Sequence, residues 1–220
     1  MIRTGLLGGS FNPAHIGHRR ISLAALRALD LDEIWWLVSP GNPLKPARGM
    51  GPLAARLASA RAMARRAPIR PTAIERELGT RYTADSLAAL LRRYPKRRFI
   101  WLMGGDNLAQ FHRWRDWRGI AGRVPIAVIG RPGYETQARA AVAMGWLRRF
   151  VRSAGQAQEW TDWSLPSLVL LDLPPDPSSA TAIRAACPKW HERLTGAFHS
   201  PAVHDPVTRR PLNPRRPFAR

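Results

Sequence analysis

Short apolar runs alternate along the chain with segments whose apolar residues recur at helical spacing. We interpret the apolar runs as strands at 1–7, 34–38, 69–74, 99–103, 126–129 and 168–173. We interpret the segments of helical spacing as helices at 15–29, 53–66, 83–91, 108–117, 135–144 and from 178 onwards. Residues 145–166 carry too few periodic positions to predict an element. Alternating strands and helices indicate an α/β fold, Rossmann-like and doubly wound, with a mostly parallel sheet and helices on both faces.

Loops rich in glycine, proline and polar side chains follow most of the predicted strands. These loops are 8–18, 39–46, 104–107, 130–133 and 176–184. In a doubly wound sheet, ligands bind beyond the carboxyl ends of the strands. We therefore expect the five loops to meet at one ligand-binding crevice.

The composition changes near residue 198. Between residues 201 and 217, five prolines are interspersed with arginines, and no apolar periodicity remains. Such a composition is typical of disordered segments. The sequence therefore predicts one domain over 1–197 and a disordered Pro/Arg-rich tail over 198–220.

The chain is strongly basic, with a formal net charge of +20. Thirty-two of its 35 basic residues are arginine, and the lysines are Lys45, Lys96 and Lys189. The arginines are scattered along the chain and do not form one block with interleaved aromatic residues. This pattern favours a general compositional bias around a site for small polyanions. The alternative, a basic nucleic-acid-binding module, stays open at this point.

Cysteine content and hydropathy indicate the cellular compartment in which the protein is expected. The single cysteine, Cys187, excludes an intrachain disulfide. No run approaches the roughly 18 consecutive apolar residues of a membrane span, and the apolar N-terminal run is too short for a signal peptide. We therefore expect a cytoplasmic protein that needs no membrane and no obligatory nucleic acid. Whether the chain forms a homo-oligomer stays open.

Residues 8–18, with the sequence Gly-Gly-Ser-Phe-Asn-Pro-Ala-His-Ile-Gly-His, join the first predicted strand to the first helix. Glycines let a backbone approach a ligand closely, and the first amides of a helix are unpaired at its positive end. These features are typical of a phosphate site. His15 and His18 add two ring N–H donors. Two alternatives for the histidines stay open: a metal pair, for which no acidic or cysteine ligand lies close in sequence, and plain surface residues.

The same segment resembles the signature of the nucleotidylyltransferase superfamily, G-[TS]-F-[DN]-P-x-H-x-G-H. Residues 178–184, Ser-Ser-Ala-Thr-Ala-Ile-Arg, resemble the second signature of that superfamily, I-S-S-T-x-I-R. Ala180 stands where this signature has a serine. Further loops, at 40–45, 81–87, 104–108, 111–114 and 131–133, narrow the resemblance to bacterial nicotinate-nucleotide adenylyltransferases. The resemblance covers roughly residues 1–186.

The resemblance implies an enzyme of NAD biosynthesis. The 5′-phosphate of nicotinate mononucleotide would attack the α-phosphorus of ATP in line, giving deamido-NAD and pyrophosphate without a covalent intermediate. A phosphate is already a nucleophile at pH 7, so catalysis would come from alignment and charge neutralisation. Nicotinamide mononucleotide and phosphopantetheine are the alternative acceptors within the superfamily.

The resemblance also implies roles for individual residues. The catalytic residues would be His15, His18, Lys45 and Arg184. The ATP-binding residues would be Gly8, Gly9, Ser10, Phe11, His15, His18, Asp106, Arg131, Ser179, Thr181 and Arg184. The residues that bind nicotinate mononucleotide would be Asn42, Lys45, Tyr82, Thr83 and Trp114. Mg²⁺ would arrive with ATP and bridge its phosphates, and the protein itself would hold no metal ion.

Several of these residues have a purely structural alternative. Trp114 lies at helical spacing, which is also typical of a core residue. Asp106 and Ser179 lie where they could cap helices, and Thr83 is expected to cap the helix that follows it. Lys45 could be a solvated loop charge.

Overall fold

The structure, a computed structural model, describes residues 1–41, 49–130, 140–172, 178–195 and 203–212. Its strands are β1 (Ile2–Gly9), β2 (Glu33–Val38), β3 (Ile69–Thr72), β4 (Arg97–Gly104), β5 (Ile126–Gly130), β6 (Val151–Arg152) and β7 (Leu168–Asp172). Its α-helices are α1 (Ile16–Ala28), α2 (Leu53–Met63), α3 (Ile74–Leu78), α4 (Thr83–Arg93), α5 (Gly105–Gln110), α6 (Trp117–Ala121), α7 (Met144–Leu147), α8 (Ala180–Ala186) and α9 (Glu192–Thr195). The 3-10 helices are Phe111–Arg113, Arg148–Phe150 and Ala154–Asp162.

The strands form one seven-stranded sheet in the order β3-β2-β1-β4-β5-β7-β6. β4 lies parallel to β1 and to β5, and β7 lies parallel to β5 and to β6. In register, Leu6 lies opposite Trp101, and Trp101 lies opposite Ile126. The order runs outward in both directions from β1 and β4, as in a doubly wound sheet, so the predicted fold class is confirmed.

The strands that the apolar runs predicted are buried as expected for a covered parallel sheet. All six residues of β2 are buried, and Trp35 and Trp36 have no exposed surface. β3 contains Pro71 and lies at the edge of the sheet, where a missing backbone donor is tolerated. The sequence pattern therefore predicted both the interior strands and the weak edge strand.

Some boundaries and elements differ from the predictions. β1 extends to Gly9, and α2 ends at Met63. Residues 145–166, for which no element was predicted, contain the end of α7, β6 and two 3-10 helices, because short elements carry no readable period. The predicted helix at 135–144 lies largely outside the described residues.

The chain divides into two compact units. Unit 1 comprises Met1–Leu7, Ile21–Ile34 and Tyr82–Asp176, and unit 2 comprises Gly8–Arg20, Trp35–Arg81 and Pro177–Arg220. In unit 1, the buried Arg97 guanidinium donates to a carboxylate oxygen of Glu33 and, at 2.9 Å, to Thr4 Oγ1. These three residues lie near the amino ends of β4, β2 and β1. The Arg97–Glu33 pair therefore lies at the end of the sheet that is formed by the amino ends of the strands. Ligands bind at the opposite end in this fold.

Residues 203–212 of the predicted tail belong to unit 2. His204 forms an antiparallel bridge with Pro211, and Val203 and Asp205 are buried. Asp205 Oδ1 accepts hydrogen bonds from the amides of Val207 and Thr208 at 2.8 and 2.9 Å. Residues 198–202 and 213–220 lie outside the described residues, and their disorder stays a prediction. Across the described residues, no helix combines the length and the apolar character needed to span a membrane.

Candidate active site

The loop that follows β1 turns at Phe11. Phe11 has a φ of 46°, in the left-handed region that bulky side chains rarely adopt. Its ring is 1% exposed and stacks on Trp36, with the ring centres 5.0 Å apart. Gly8 and Gly9, which the sequence placed in the turn, lie at the end of β1. A Cβ at Gly9 would lie 3.1 Å from the Phe11 ring, so a larger residue there would require the ring to shift.

His15 and His18 lie together at the start of α1, with ring centres 3.9 Å apart. The backbone amide of His15 donates to His18 Nδ1 at 3.2 Å, and the His18 amide donates to the His15 carbonyl at 3.0 Å. Because Nδ1 of His18 is an acceptor, the hydrogen of its neutral ring lies on Nε2. The half-buried His18 ring also packs against Phe11 at 4.8 Å. His18 therefore presents one N–H donor in a fixed orientation.

Asn12 holds the loop to the segment that begins at Gly49. Its buried side chain accepts from the Gly51 amide at 3.0 Å and donates to the Gly49 carbonyl at 2.9 Å. Trp190 packs over Gly51, where a Cβ would lie 2.8 Å from the indole. The signature accepts either Asp or Asn at the position of Asn12. Nothing in the sequence indicated that this side chain bonds to Gly49 and Gly51.

Arg184 joins the two signature segments. Its Nη1 donates to the Asn12 carbonyl at 2.7 Å, and its Nη2 donates to Thr181 Oγ1 at 3.2 Å. Ser179 is the N-cap of α8, and its Oγ accepts from the Ala182 amide at 3.5 Å. The capping role that the sequence left open for Ser179 is therefore observed. Within unit 2, the structure brings Arg184 to the loop that carries both histidines.

Arg56 on α2 is a residue that sequence reasoning missed. It is 2% exposed, and its guanidinium donates to the carbonyls of Ser10 and Ser39, both at 2.8 Å, and of Gly51 at 2.9 Å. A longer contact of 3.4 Å reaches the Pro40 carbonyl. Burial lowers the pKa of Arg56 to about 10, so the side chain stays charged at pH 7. Within the described residues it has no carboxylate partner, and backbone carbonyls rather than a carboxylate surround its charge behind the signature loop.

The donors assembled in unit 2 suit an anion. His18 offers a ring N–H, Arg184 a half-buried guanidinium, and Arg56 a buried positive charge. Among the described residues, no group of three or more His, Cys, Asp and Glu side chains could hold a metal ion. Cations and N–H donors without carboxylates favour phosphate oxygens as the ligand.

Unit 1 carries three of the predicted mononucleotide-binding residues. Tyr82 is the N-cap of α4, and it makes no side-chain capping hydrogen bond. The prediction that Thr83 is the cap was wrong, because Thr83 already belongs to the first turn. Trp114 is half-buried and packs edge-on against Trp101 and Phe111, with ring centres 6.2 and 5.4 Å away. One part of Trp114 therefore packs in the core and another part stays accessible.

The remaining predicted residues give less structural information. Asp106 is exposed in the first turn of α5, where Gly104 is the N-cap and no side chain provides a capping hydrogen bond. Asn42, Lys45 and Arg131 lie outside the described residues. Their roles, and the meeting of the five strand-end loops at one crevice, stay predictions.

Comparison with known proteins places the chain in a family. Residues 6–186 match the family model described as cytidylyltransferase-like. A protein of Erythrobacter litoralis named "Probable nicotinate-nucleotide adenylyltransferase" is 60% identical over 96% of this chain and 94% of its own length. A protein of Cereibacter sphaeroides with the same name is 52% identical over 82% of this chain and 96% of its own length.

A solved structure shares the fold. The nicotinic acid mononucleotide adenylyltransferase of Plasmodium falciparum, complexed with NaAD, superposes with a TM-score of 0.63. The match covers 84% of this chain and 83% of that one at 16% identity, so the likeness concerns the fold alone. The family model and the two close relatives cover most of the chain. This chain therefore belongs to the cytidylyltransferase-like family and, within it, to the nicotinate-nucleotide adenylyltransferases.

Proposed function

We propose that this chain transfers the adenylyl group of ATP to nicotinate mononucleotide, giving deamido-NAD and pyrophosphate. The observation that carries the proposal is the hydrogen bond from Arg184 to the Asn12 carbonyl, which joins the two signature segments in one donor-rich site. The names of relatives at 60% and 52% identity support the choice of acceptor. A cytoplasmic location, expected from the sequence, is part of the proposal.

The chemistry needs no proton acceptor on the protein. A phosphate oxygen of nicotinate mononucleotide forms a new bond to the α-phosphorus of ATP. The bond from that phosphorus to the bridging oxygen breaks, and pyrophosphate leaves with the electron pair. The attacking phosphate is ionised near pH 7, since its second pKa is about 6. The protein therefore contributes alignment of two polyanions and stabilisation of charge on the α-phosphate.

In the proposed site, His18 Nε2–H donates to a non-bridging oxygen of the α-phosphate. The hydrogen bond from the His15 amide to Nδ1 fixes the ring and its tautomer before substrate binds, so no reorganisation accompanies the reaction. His15 and the backbone around Gly9, Ser10 and Phe11 hold the remaining phosphate oxygens. The buried charge of Arg56 favours the polyanion from behind the loop.

ATP enters as its Mg²⁺ complex in this proposal, so the metal ion belongs to the substrate. The described donors in unit 2 are imidazole, guanidinium and amide N–H groups, which fit phosphate oxygens better than a cation. This ion would neutralise part of the phosphate charge. Arg184, with Ser179 and Thr181 nearby on α8, contributes on the protein side. The resemblance assigns Asp106 and Arg131 to ATP as well.

Nicotinate mononucleotide is assigned to Tyr82, Thr83 and Trp114, together with Asn42 and Lys45. The N-cap of α4 makes no side-chain capping hydrogen bond, and the positive end of a helix favours a carboxylate. The half-buried Trp114 offers the accessible part of its ring to the pyridine.

The proposal predicts turnover with a defined acceptor. Purified protein with ATP and Mg²⁺ should release pyrophosphate with nicotinate mononucleotide faster than with nicotinamide mononucleotide or phosphopantetheine. A coupled pyrophosphate assay measures the three rates side by side. Absence of turnover with nicotinate mononucleotide would contradict the proposal. Salt-sensitive DNA binding without turnover would favour a nucleic-acid-binding module instead.

Arg184→Lys should raise KM for ATP by about tenfold, with a smaller effect on kcat. Lysine keeps the charge but cannot hold the Asn12 carbonyl and Thr181 in one rigid fork. Steady-state kinetics measures both constants. Arg27→Lys makes the same exchange at an exposed position on α1 and should behave as wild type. An unchanged KM in Arg184→Lys would show that this guanidinium does not organise the ATP site.

A further inference from the structure

Arg115 lies over the first turn of α4, within unit 1. Its guanidinium carbon lies 4.8 Å from the centre of the Tyr82 ring. Its Nη1 lies 3.4 Å from a carboxylate oxygen of Asp85. In sequence, Arg115 directly follows Trp114. The guanidinium is therefore beside the residues to which the proposed function assigns nicotinate mononucleotide.

The contacts of Arg115 position its charge and leave its hydrogen-bonding capacity available. The Arg115 side chain is 60% exposed and that of Asp85 is 46% exposed, and an ion pair this open and this long contributes little. Stacking on the Tyr82 ring restricts where the guanidinium lies. A guanidinium has five N–H donors, and the Asp85 contact uses one of them. Arg115 can therefore bind another carboxylate at low cost.

We infer that Arg115 is a specificity-determining residue that selects nicotinate over nicotinamide mononucleotide. This inference rests on the proposed function and adds to it the basis of acceptor choice. The two mononucleotides have nearly the same shape and differ in one group, a carboxylate against a neutral carboxamide. A guanidinium forms a charge-assisted, bidentate pair with the carboxylate, whereas the amide nitrogen offers it only further donors. The positive charge of Arg115 therefore favours the acid.

Stacked and ion-paired arginines also occur in unit 1 away from Tyr82. The Arg93 guanidinium lies 5.7 Å from the Tyr94 ring centre, and Arg123 pairs with Asp116 at 2.8 Å. Neither lies next to Trp114 in sequence. Arg123 is a matched control for Arg115, because both are partly exposed arginines paired with an aspartate.

The test is the ratio of kcat/KM for the acid to kcat/KM for the amide, measured with saturating MgATP. Arg115→Gln should lower this ratio about tenfold, through the acid value, since it removes a charge-assisted hydrogen bond. Arg115→Lys should give an intermediate ratio, because it keeps the charge without the fork. Arg123→Gln should keep the wild-type ratio. Raising the salt from about 50 to 500 mM should lower the ratio in wild type and not in Arg115→Gln.

Two results would overturn the inference while leaving the proposed function intact. One is a wild-type value of kcat/KM for both mononucleotides in Arg115→Gln. The other is an equal loss with both mononucleotides, which would give Arg115 a structural role only. Failure of the wild-type protein to turn over either mononucleotide would instead overturn the proposed function, and the inference with it.

Discussion

His18→Ala is expected to lower kcat for adenylyl transfer by about two to three orders of magnitude, the effect of removing a preorganised donor to a developing anion. KM for ATP should change by less than about threefold, because several other donors hold the ground-state triphosphate. The large effect follows from the fixed geometry of the ring. The His15 amide holds Nδ1 at 3.2 Å, and Phe11 packs against the ring. Steady-state and single-turnover kinetics separate kcat from binding.

Two further variants make the His18 prediction specific. His18→Gln keeps a neutral N–H donor of similar reach and should recover about tenfold in kcat over the alanine variant. His204→Ala removes an exposed histidine of the same unit and should match wild type. A His18→Ala enzyme with near-normal kcat would rule out a transition-state role for this ring.

Arg56→Met is expected to lower the free energy of unfolding by about 2–4 kcal/mol. The loss of the guanidinium removes a donor from the buried carbonyl of Gly51 and from the part-buried carbonyls of Ser10 and Ser39. Removing a desolvated charge offsets part of this cost, which is why the estimate is below the sum over the lost hydrogen bonds. Urea or guanidinium denaturation followed by tryptophan fluorescence measures the change.

Arg56→Met should also lower kcat by at least about tenfold at a temperature where the variant is folded. The Ser10 carbonyl and the backbone at Ser39 lose the side chain that holds them, so the loop amides are less well aligned with phosphate. Arg61→Met makes the same substitution on the same helix, but the Arg61 side chain holds none of these carbonyls. It should lower the free energy of unfolding and kcat less than Arg56→Met does. Equal stability and kcat for the two variants would contradict the role assigned to Arg56.

The sheet could be predicted from sequence because its strands are continuous apolar runs. β2, β4 and β5 are buried along most of their length, and burial on both faces produces this pattern. The conformation of the loop after β1 was harder to predict. Two adjacent glycines indicated the turn, but tertiary packing on Trp36 stabilises the left-handed conformation at Phe11. Local propensity does not encode that contact.

The two histidines and Arg184 were proposed as site residues because they occupy signature positions. Arg56 was not, since nothing local distinguishes it from the other arginines of the chain. What distinguishes it is three carbonyls that reach it from residues 10, 39 and 51 once the chain has folded. The same holds for Arg115, whose significance appears only when its guanidinium is seen over Tyr82.

The central claim is that the loop carrying His18 performs adenylyl transfer to nicotinate mononucleotide. The most direct test is the rate of deamido-NAD formation by wild type and His18→Ala, measured side by side by chromatography at saturating MgATP and nicotinate mononucleotide. We predict one pyrophosphate released per deamido-NAD formed by wild type, and a rate at least about 100-fold lower for the variant. No deamido-NAD from the wild-type protein, or equal rates for the two proteins, would contradict the claim.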